Sequence, residues 1–294
     1  MELEYKTVDE QYADLINSVS KNGELVVCEE GSKLILLNVQ MKFNNINLPI
    51  LTTREINHSE AIESLLSIWK EMNSDSELLQ QGLSYGTQLR SKTQPIVVDE
   101  IFLTMFFNGE LSIKPTKEDY DRGYDSMLEV FEKDEYEIYL NQVDFILYST
   151  KKHSTPNRIK AHLWSIEDLC IIPTSLHLYE TSWQTLCGKL NLTVNVDSLN
   201  IIDIPYNIYQ YAILHRLIAQ VSGYEVGELC FNIDNAHIYD RHLELAEKQI
   251  QGEVHEPPTV WINPDVKSFY DFTVDDIKVE NYKHNGNFSY EIAI

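Results

Sequence analysis

Cysteine offers this chain its most versatile chemistry, and there are four: Cys28, Cys170, Cys187 and Cys230. No two stand as Cys-x-x-Cys. Their wide spacing suits neither a zinc site nor the disulfide framework of a small secreted domain. The expectation is therefore buried free thiols in a reducing compartment. Only 11 glycines are present, which argues against a phosphate site built mainly from loop backbone. Charge narrows the choice of ligand further. Against 46 acidic residues stand 23 basic ones, a formal net charge of -23. A surface this negative repels phosphate backbones and anionic membranes, so neither nucleic acid nor a membrane is expected as a partner. A single nucleotide could still enter a local basic pocket.

The elements that would position such a site follow from periodicity. The chain has 294 residues, 43% of them hydrophobic, including 17 Tyr and 4 Trp, enough for a sizeable core. The acidic start, Met1-Glu-Leu-Glu-Tyr5, has no apolar signal core. No apolar run reaches the ~18–20 residues of a membrane helix. The predicted setting is cytoplasmic. From His58 to Asp75, Ala61, Ile62, Leu65, Leu66, Trp69 and Met72 recur at helical spacing, with Ser59 as the expected cap. The acidic stretch from about 110 to 150 predicts a peripheral region with a helix around Tyr124 to Phe131. Residues 158–196 read mostly as strands. In Lys189 to Val196, Leu190, Leu192, Val194 and Val196 alternate with Asn191, Thr193 and Asn195. Asn207 to Ser222 is apolar almost all round, the pattern of a buried central helix, and Gly223 is its natural stop. A strand over Glu228 to Ile233, a helix from Asp240 to about Gln251 and a short strand from Thr259 to Asn263 complete an α+β reading.

Pro205-Tyr-Asn-Ile208 opens the apolar helix and Asn235-Ala-His-Ile-Tyr239 follows it along the chain. In that order they resemble segments of thymidylate synthases: the Pro-Phe-Asn-Ile that opens that family's central helix, and its Gly-Asp-Ala-His-Ile-Tyr. Upstream, Gln40-Met-Lys-Phe43, Leu48-Pro-Ile-Leu-Thr-Thr-Arg54 and Tyr85-Gly-Thr-Gln-Leu-Arg90 match further family stretches. The tail Glu291-Ile-Ala-Ile294 matches the short apolar close of the fold. The resemblance implies one domain over 1–294, with a diverged acidic region around 110–150. It also implies a mixed or antiparallel sheet around a long buried central helix, and a homodimer paired through sheet faces.

The family's reaction adds a one-carbon unit from methylenetetrahydrofolate to C5 of dUMP through a cysteine nucleophile. Here the resemblance puts Ser175 (Thr174 in a shifted register) at the nucleophile position, in Ile172-Pro-Thr-Ser-Leu-His177. A serine hydroxyl is far less ionised than a thiol, and His177 is the one nearby base. Val196, followed by Asp197, stands where an arginine meets the nucleotide phosphate, and Ser64 where the catalytic glutamate belongs, with Glu63 one position away. Glu29-Glu-Gly-Ser32 replaces a second phosphate arginine. The paired arginines that a partner subunit donates correspond roughly to Thr155-Pro-Asn-Arg158, where Arg158 supplies one of the two contacts in a shifted register. Four matching positions survive: Asn207 for the uracil edge, His237 and Tyr239 for the deoxyribose hydroxyl, and Tyr85.

These substitutions imply a catalytically impaired member of the family that binds a pyrimidine nucleotide or nucleoside, or a protein partner, and requires no cofactor. A second reading is a diverged C5 methyl- or hydroxymethyltransferase, which would use methylenetetrahydrofolate. A third is a structural or inhibitory subunit that pairs with an active family member.

Overall fold

The computed structural model describes residues 5–28, 31–72, 86–134, 136–152, 159–164 and 179–290. Its centre is a mixed sheet. β1 (Glu24–Cys28) and β2 (Gly31–Asn44) form a hairpin, followed in spatial order by β8 (Glu225–Tyr239), β7 (Lys189–Asn200), β6 (Tyr179–Leu186) and β5 (Ile159–His162). All neighbours are antiparallel except β7 and β8, which run parallel. A parallel pair needs a crossover, and α7 (Ile204–Ser222) supplies it. Its apolar residues point in every direction, so it is stable only when surrounded, and Ile208, Tyr209, Ile213, Leu214, Leu217 and Ile218 are all fully buried. Pro205 pre-sets its first turn. Gly223, in the left-handed conformation at φ 78°, ends it.

The alternation in β7 acts as expected. Leu190, Leu192, Val194 and Val196 face the core beside Trp183 and Phe231, while Asn191, Thr193 and Asn195 are half-buried on the opposite face. α1 (Val8–Asn22) closes one flank, held at its start by a capping box between Thr7 and Glu10. α2 (His58–Trp69) lies against α7. Its cap is Asn57, whose side chain accepts from the Glu60 backbone N–H, and not the expected Ser59, which lies inside the helix. The helix also stops at Trp69, short of Asp75, although Met72 remains in the core.

The acidic region is less peripheral than expected. β3 (Ile96–Val97), α3 (Glu100–Phe107), α4 (Lys117–Arg122), α5 (Tyr124–Asp134) and β4 (Glu137–Ile138) form a satellite layer. α6 (Gln142–Lys152) belongs to the core proper, with Val143, Ile146 and Leu147 buried. At its start Asp144 accepts from the Ser112 N–H (2.9 Å), Asn141 Nδ2 (3.0 Å) and the Tyr270 hydroxyl (2.8 Å). Burial still raises its carboxyl above the usual range. α8 (Asp240–Gln249) follows β8 directly, and β9 (Thr259–Ile262) pairs antiparallel with β10 (Ile277–Glu280). Among the described residues no helix is long and apolar enough to cross a membrane.

The thiols depart from expectation. Cys230 is buried, Cys28 is half-buried, and Cys187 is exposed at the β6–β7 turn. Cys187 takes φ 51° beside Gly188, so turn geometry outweighs the preference of a thiol for the core. Cys170 lies outside the described residues.

Candidate functional site

Three of the predicted site residues stand toward one end of the sheet: His237 and Tyr239 at the carboxyl end of β8, and Asn207 in the first turn of α7, which follows β7. The parallel register sets Asn200 opposite His237, and the Ile201 N–H donates to the His237 carbonyl at 2.7 Å. The buried His237 ring places Nδ1 at 3.3 Å from Ser198 Oγ. It packs edge-on to the buried Tyr239, with ring centroids 6.0 Å apart. Arg241 places its guanidinium over the Tyr239 ring, 4.5 Å from the centroid. Asn207 stands one turn into α7, half-buried, and its Nδ2 donates to the Asp203 carbonyl at 2.9 Å. That contact fixes the amide orientation, so a ligand group meeting its Oδ1 would have to be a donor.

The position matched to the phosphate arginine is occupied by packing. Val196 is 1% exposed and sits in the hydrophobic core, because the β7 alternation turns it inward with Val194 and Leu192. Asp197 turns outward and is exposed, and Asp203 is exposed at the start of α7. Asp197 thus sets a carboxylate next in sequence to an apolar side chain at the matched position, while the cations Arg54 and Arg241 lie at the same end of the sheet. On α2, Glu63 is exposed and Ser64 half-buried, so the neighbouring glutamate does not take over the inward position.

Ser175, Thr174, His177, Tyr85 and Arg158 lie outside the described residues, as do Glu29, Glu30 and the tail Glu291–Ile294. The thiols within them do not compensate. Cys230 is midway along β8, Cys187 at a turn and Cys28 on β1, none of them on the strand ends that carry Ser198, His237 and Tyr239.

The structure adds residues to which the sequence reading assigned no role. Arg54 is 9% exposed, a buried cation that donates through Nη2 to the Ile202 carbonyl, just before α7. Its guanidinium lies 5.5 Å from the Tyr290 ring centroid. Tyr290 donates to Gln249 Oε1 at 2.7 Å, and Gln249 Nε2 reaches Thr53 Oγ1 at 3.3 Å. Burial, only partly opposed by Arg54, pushes the Tyr290 phenol up to about 12. The segment is aimed from below by Asp9, which accepts from the backbone N–H groups of Thr52 (3.0 Å) and Thr53 (2.9 Å) and from the Thr52 hydroxyl (2.9 Å). The sequence signal was present in the Leu48–Arg54 match. A sequence cannot show that Arg54 is folded inward under α7.

Comparison with known proteins agrees with this architecture. The thymidylate synthase family model matches residues 10–294. The chain is 33% identical over 316 aligned positions to the thymidylate synthase of Bacillus mojavensis, covering 97% of this chain and 99% of that protein. The identity and coverage are the same for the thymidylate synthase of Bacillus phage phi3T. The solved structure of the thermostable thymidylate synthase A from Bacillus subtilis superposes with a TM-score of 0.72 at 32% identity, over 98% of this chain and 100% of that one. This chain therefore belongs to the thymidylate synthase family and has its α+β fold.

Proposed function

We propose that this chain is a catalytically impaired member of the family that works by binding, and that the ligand of its cleft is a pyrimidine nucleoside in preference to its 5′-monophosphate. The observation that carries this reading is Val196, a buried apolar residue at the phosphate-arginine position, followed by the exposed Asp197. The site keeps groups suited to a base and a sugar hydroxyl in Asn207, His237 and Tyr239. It lacks the arginine at that phosphate position. Ser175 at the nucleophile position and Ser64 at the glutamate position remove the means of covalent attack and of proton relay in the same cleft.

Calorimetric titration tests this directly. Deoxyuridine should bind at least as tightly as dUMP. Loss of a charge-assisted phosphate contact weakens dUMP by ~2–3 kcal/mol, roughly 30–150-fold. Sub-micromolar dUMP affinity would overturn the reading. So would dTMP formed from dUMP and methylenetetrahydrofolate, if Ser175→Ala abolished it. That last result would instead favour a diverged C5 transferase, the reading supported by the retained Asn207, His237 and Tyr239.

We also propose a homodimer paired through the open sheet face. In its support, a row of side chains in cross-strand register links β2 to β5. Gln40 donates to Asn232 (2.8 Å), Asn232 to Asn195 (2.9 Å), and Asn195 to Glu180 (3.2 Å), which pairs with Lys160 (2.6 Å). A face whose polar groups are already satisfied loses little when a second copy removes water from it.

A further inference from the structure

We propose that the amino ends of β7 and β8 carry a second binding site, which takes a small apolar monocarboxylate on Arg216. An open cavity of about 460 Å³ lies there, bounded by the turn after β2, the last third of α7 and β9. It stands at the opposite end of the parallel pair from His237, since Lys189 pairs with Glu225 at one end and Asn200 with His237 at the other. The inference is independent of what the cleft binds.

Arg216 is the reason to expect an anion. Its guanidinium is half-buried, and the loss of water pushes its pKa down to about 10. A cation desolvated in this way is usually paired with a carboxylate. Here both of its hydrogen bonds go to neutral acceptors: Nε donates to Asn45 Oδ1 (3.3 Å) and Nη2 to the Ile46 carbonyl (2.8 Å). A guanidinium has five N–H donors, so more than half of its capacity is left for a ligand. The neutral donors around it are spent inward. Asn45 Nδ2 donates to the Ala212 carbonyl (3.0 Å), Gln220 Nε2 to the Asn263 carbonyl (2.9 Å) and the Tyr224 hydroxyl to the Thr150 carbonyl (3.1 Å).

Charge and shape select the ligand. The other charged groups lining the cavity are Lys189 and Glu225, both exposed and directly opposite in the β7–β8 register, so they offset one another. One net cation remains, which a monoanion matches and a phosphate dianion does not. A planar carboxylate also fits the edge of a guanidinium with two parallel hydrogen bonds. The walls are apolar: Val226, Val260 and Ile262 are half-buried, and Ile46 is 61% exposed. They suit a short hydrocarbon chain carried by the carboxylate.

The test titrates the full chain with sodium octanoate by calorimetry and locates it by amide hydrogen exchange. Octanoate should bind at a single saturable site and protect the amides of the turn after β2 and of β9. Its affinity should exceed that of acetate, 1-octanol and inorganic phosphate by about tenfold or more. Arg216→Gln and Ile46→Glu should each weaken octanoate by about tenfold or more. Ile46 is exposed, so its variant keeps the test decisive even if loss of the Arg216 hydrogen bonds disturbs folding. Equal binding of 1-octanol would mean an apolar cavity alone, and equal binding of acetate or phosphate an adventitious ion only; either overturns the proposal. Binding that does not saturate, protection confined to the cleft, or unchanged affinity in Ile46→Glu overturns it too.

Discussion

At the scale of the residue, burial sets the chemistry more firmly than side-chain type. His215 is fully buried in α7, edge-on to Trp183. Its Nε2 lies 2.7 Å from the Leu190 carbonyl, which can only accept, so Nε2 carries the proton. Nδ1 then accepts from Asn45 Nδ2 at 3.3 Å. Protonating Nδ1 would set two donors face to face in a dry core, and burial lowers the pKa to about 4. The folded state therefore binds fewer protons than the unfolded one between about pH 4 and 6.5. Stability from this residue is complete above about 6.5 and is lost as pH falls to about 4, with a total on the order of 3 kcal/mol. Urea unfolding at pH 7.5 and 5 should show a steeper loss for the wild type than for His215→Gln. Parallel losses would mean that the ring titrates normally. Val196 obeys the same physics. Because it is packed in the core, Val196→Arg must open that packing to reach any ligand. It should lower the melting temperature of the unliganded protein, with dUMP recovering part of the loss; thermal shift with and without dUMP measures both.

At the scale of the element, two glycines separate conformational need from close approach. Gly223 ends α7 with φ 78° and has nothing near the place of a Cβ. Gly223→Ala should cost about 1 kcal/mol, from backbone strain alone. Gly227 is the reverse case. A Cβ there would lie 2.4 Å from Asn191 Oδ1 and 2.6 Å from the Leu190 carbonyl, at the register shift where β7 meets β8. Asn191 fills that irregularity by accepting from the Glu228 N–H at 2.9 Å. Gly227→Ala should therefore cost more than Gly223→Ala, about 2–3 kcal/mol, because the parallel seam itself must shift. Chemical denaturation of the two variants side by side tests the order, and an equal or smaller cost for Gly227→Ala would refute the account. Asn191 is thus engaged within its own sheet, and less of it is available to a second copy than its outward position suggests.

At the scale of the whole molecule, the open sheet face and the net charge oppose each other. The satisfied side-chain row favours association, while the formal charge of -23 opposes it and is screened over about 8–10 Å at physiological salt. Light scattering should give about twice the 34.2 kDa chain mass, with the dimer tightening as salt is raised. A monomer at all salt concentrations would remove the dimer reading. Asn195→Asp places a second carboxylate where an amide now donates to Glu180, and it should shift the equilibrium toward monomer.

The long elements were legible from sequence because each has one dominant period. The all-round apolar pattern of α7 and the strict alternation of β7 leave one way to bury them. Strand β8 was read too short because it spans Glu225 to Tyr239 and carries polar residues on its outer face. α6 was misplaced because its acidic neighbourhood masked Val143, Ile146 and Leu147. At the candidate site, residue types could be matched by order along the chain, which brought out Asn207, His237 and Tyr239 and the valine at position 196. Tertiary structure alone decided the rest: that Val196 is enclosed, that Ser198 meets His237, and that Asp9 aims the Thr52–Arg54 turn so that a cation lies beneath α7. Such contacts join residues as far apart as Arg54 and Ile202, and local periodicity carries no information about pairings at that separation.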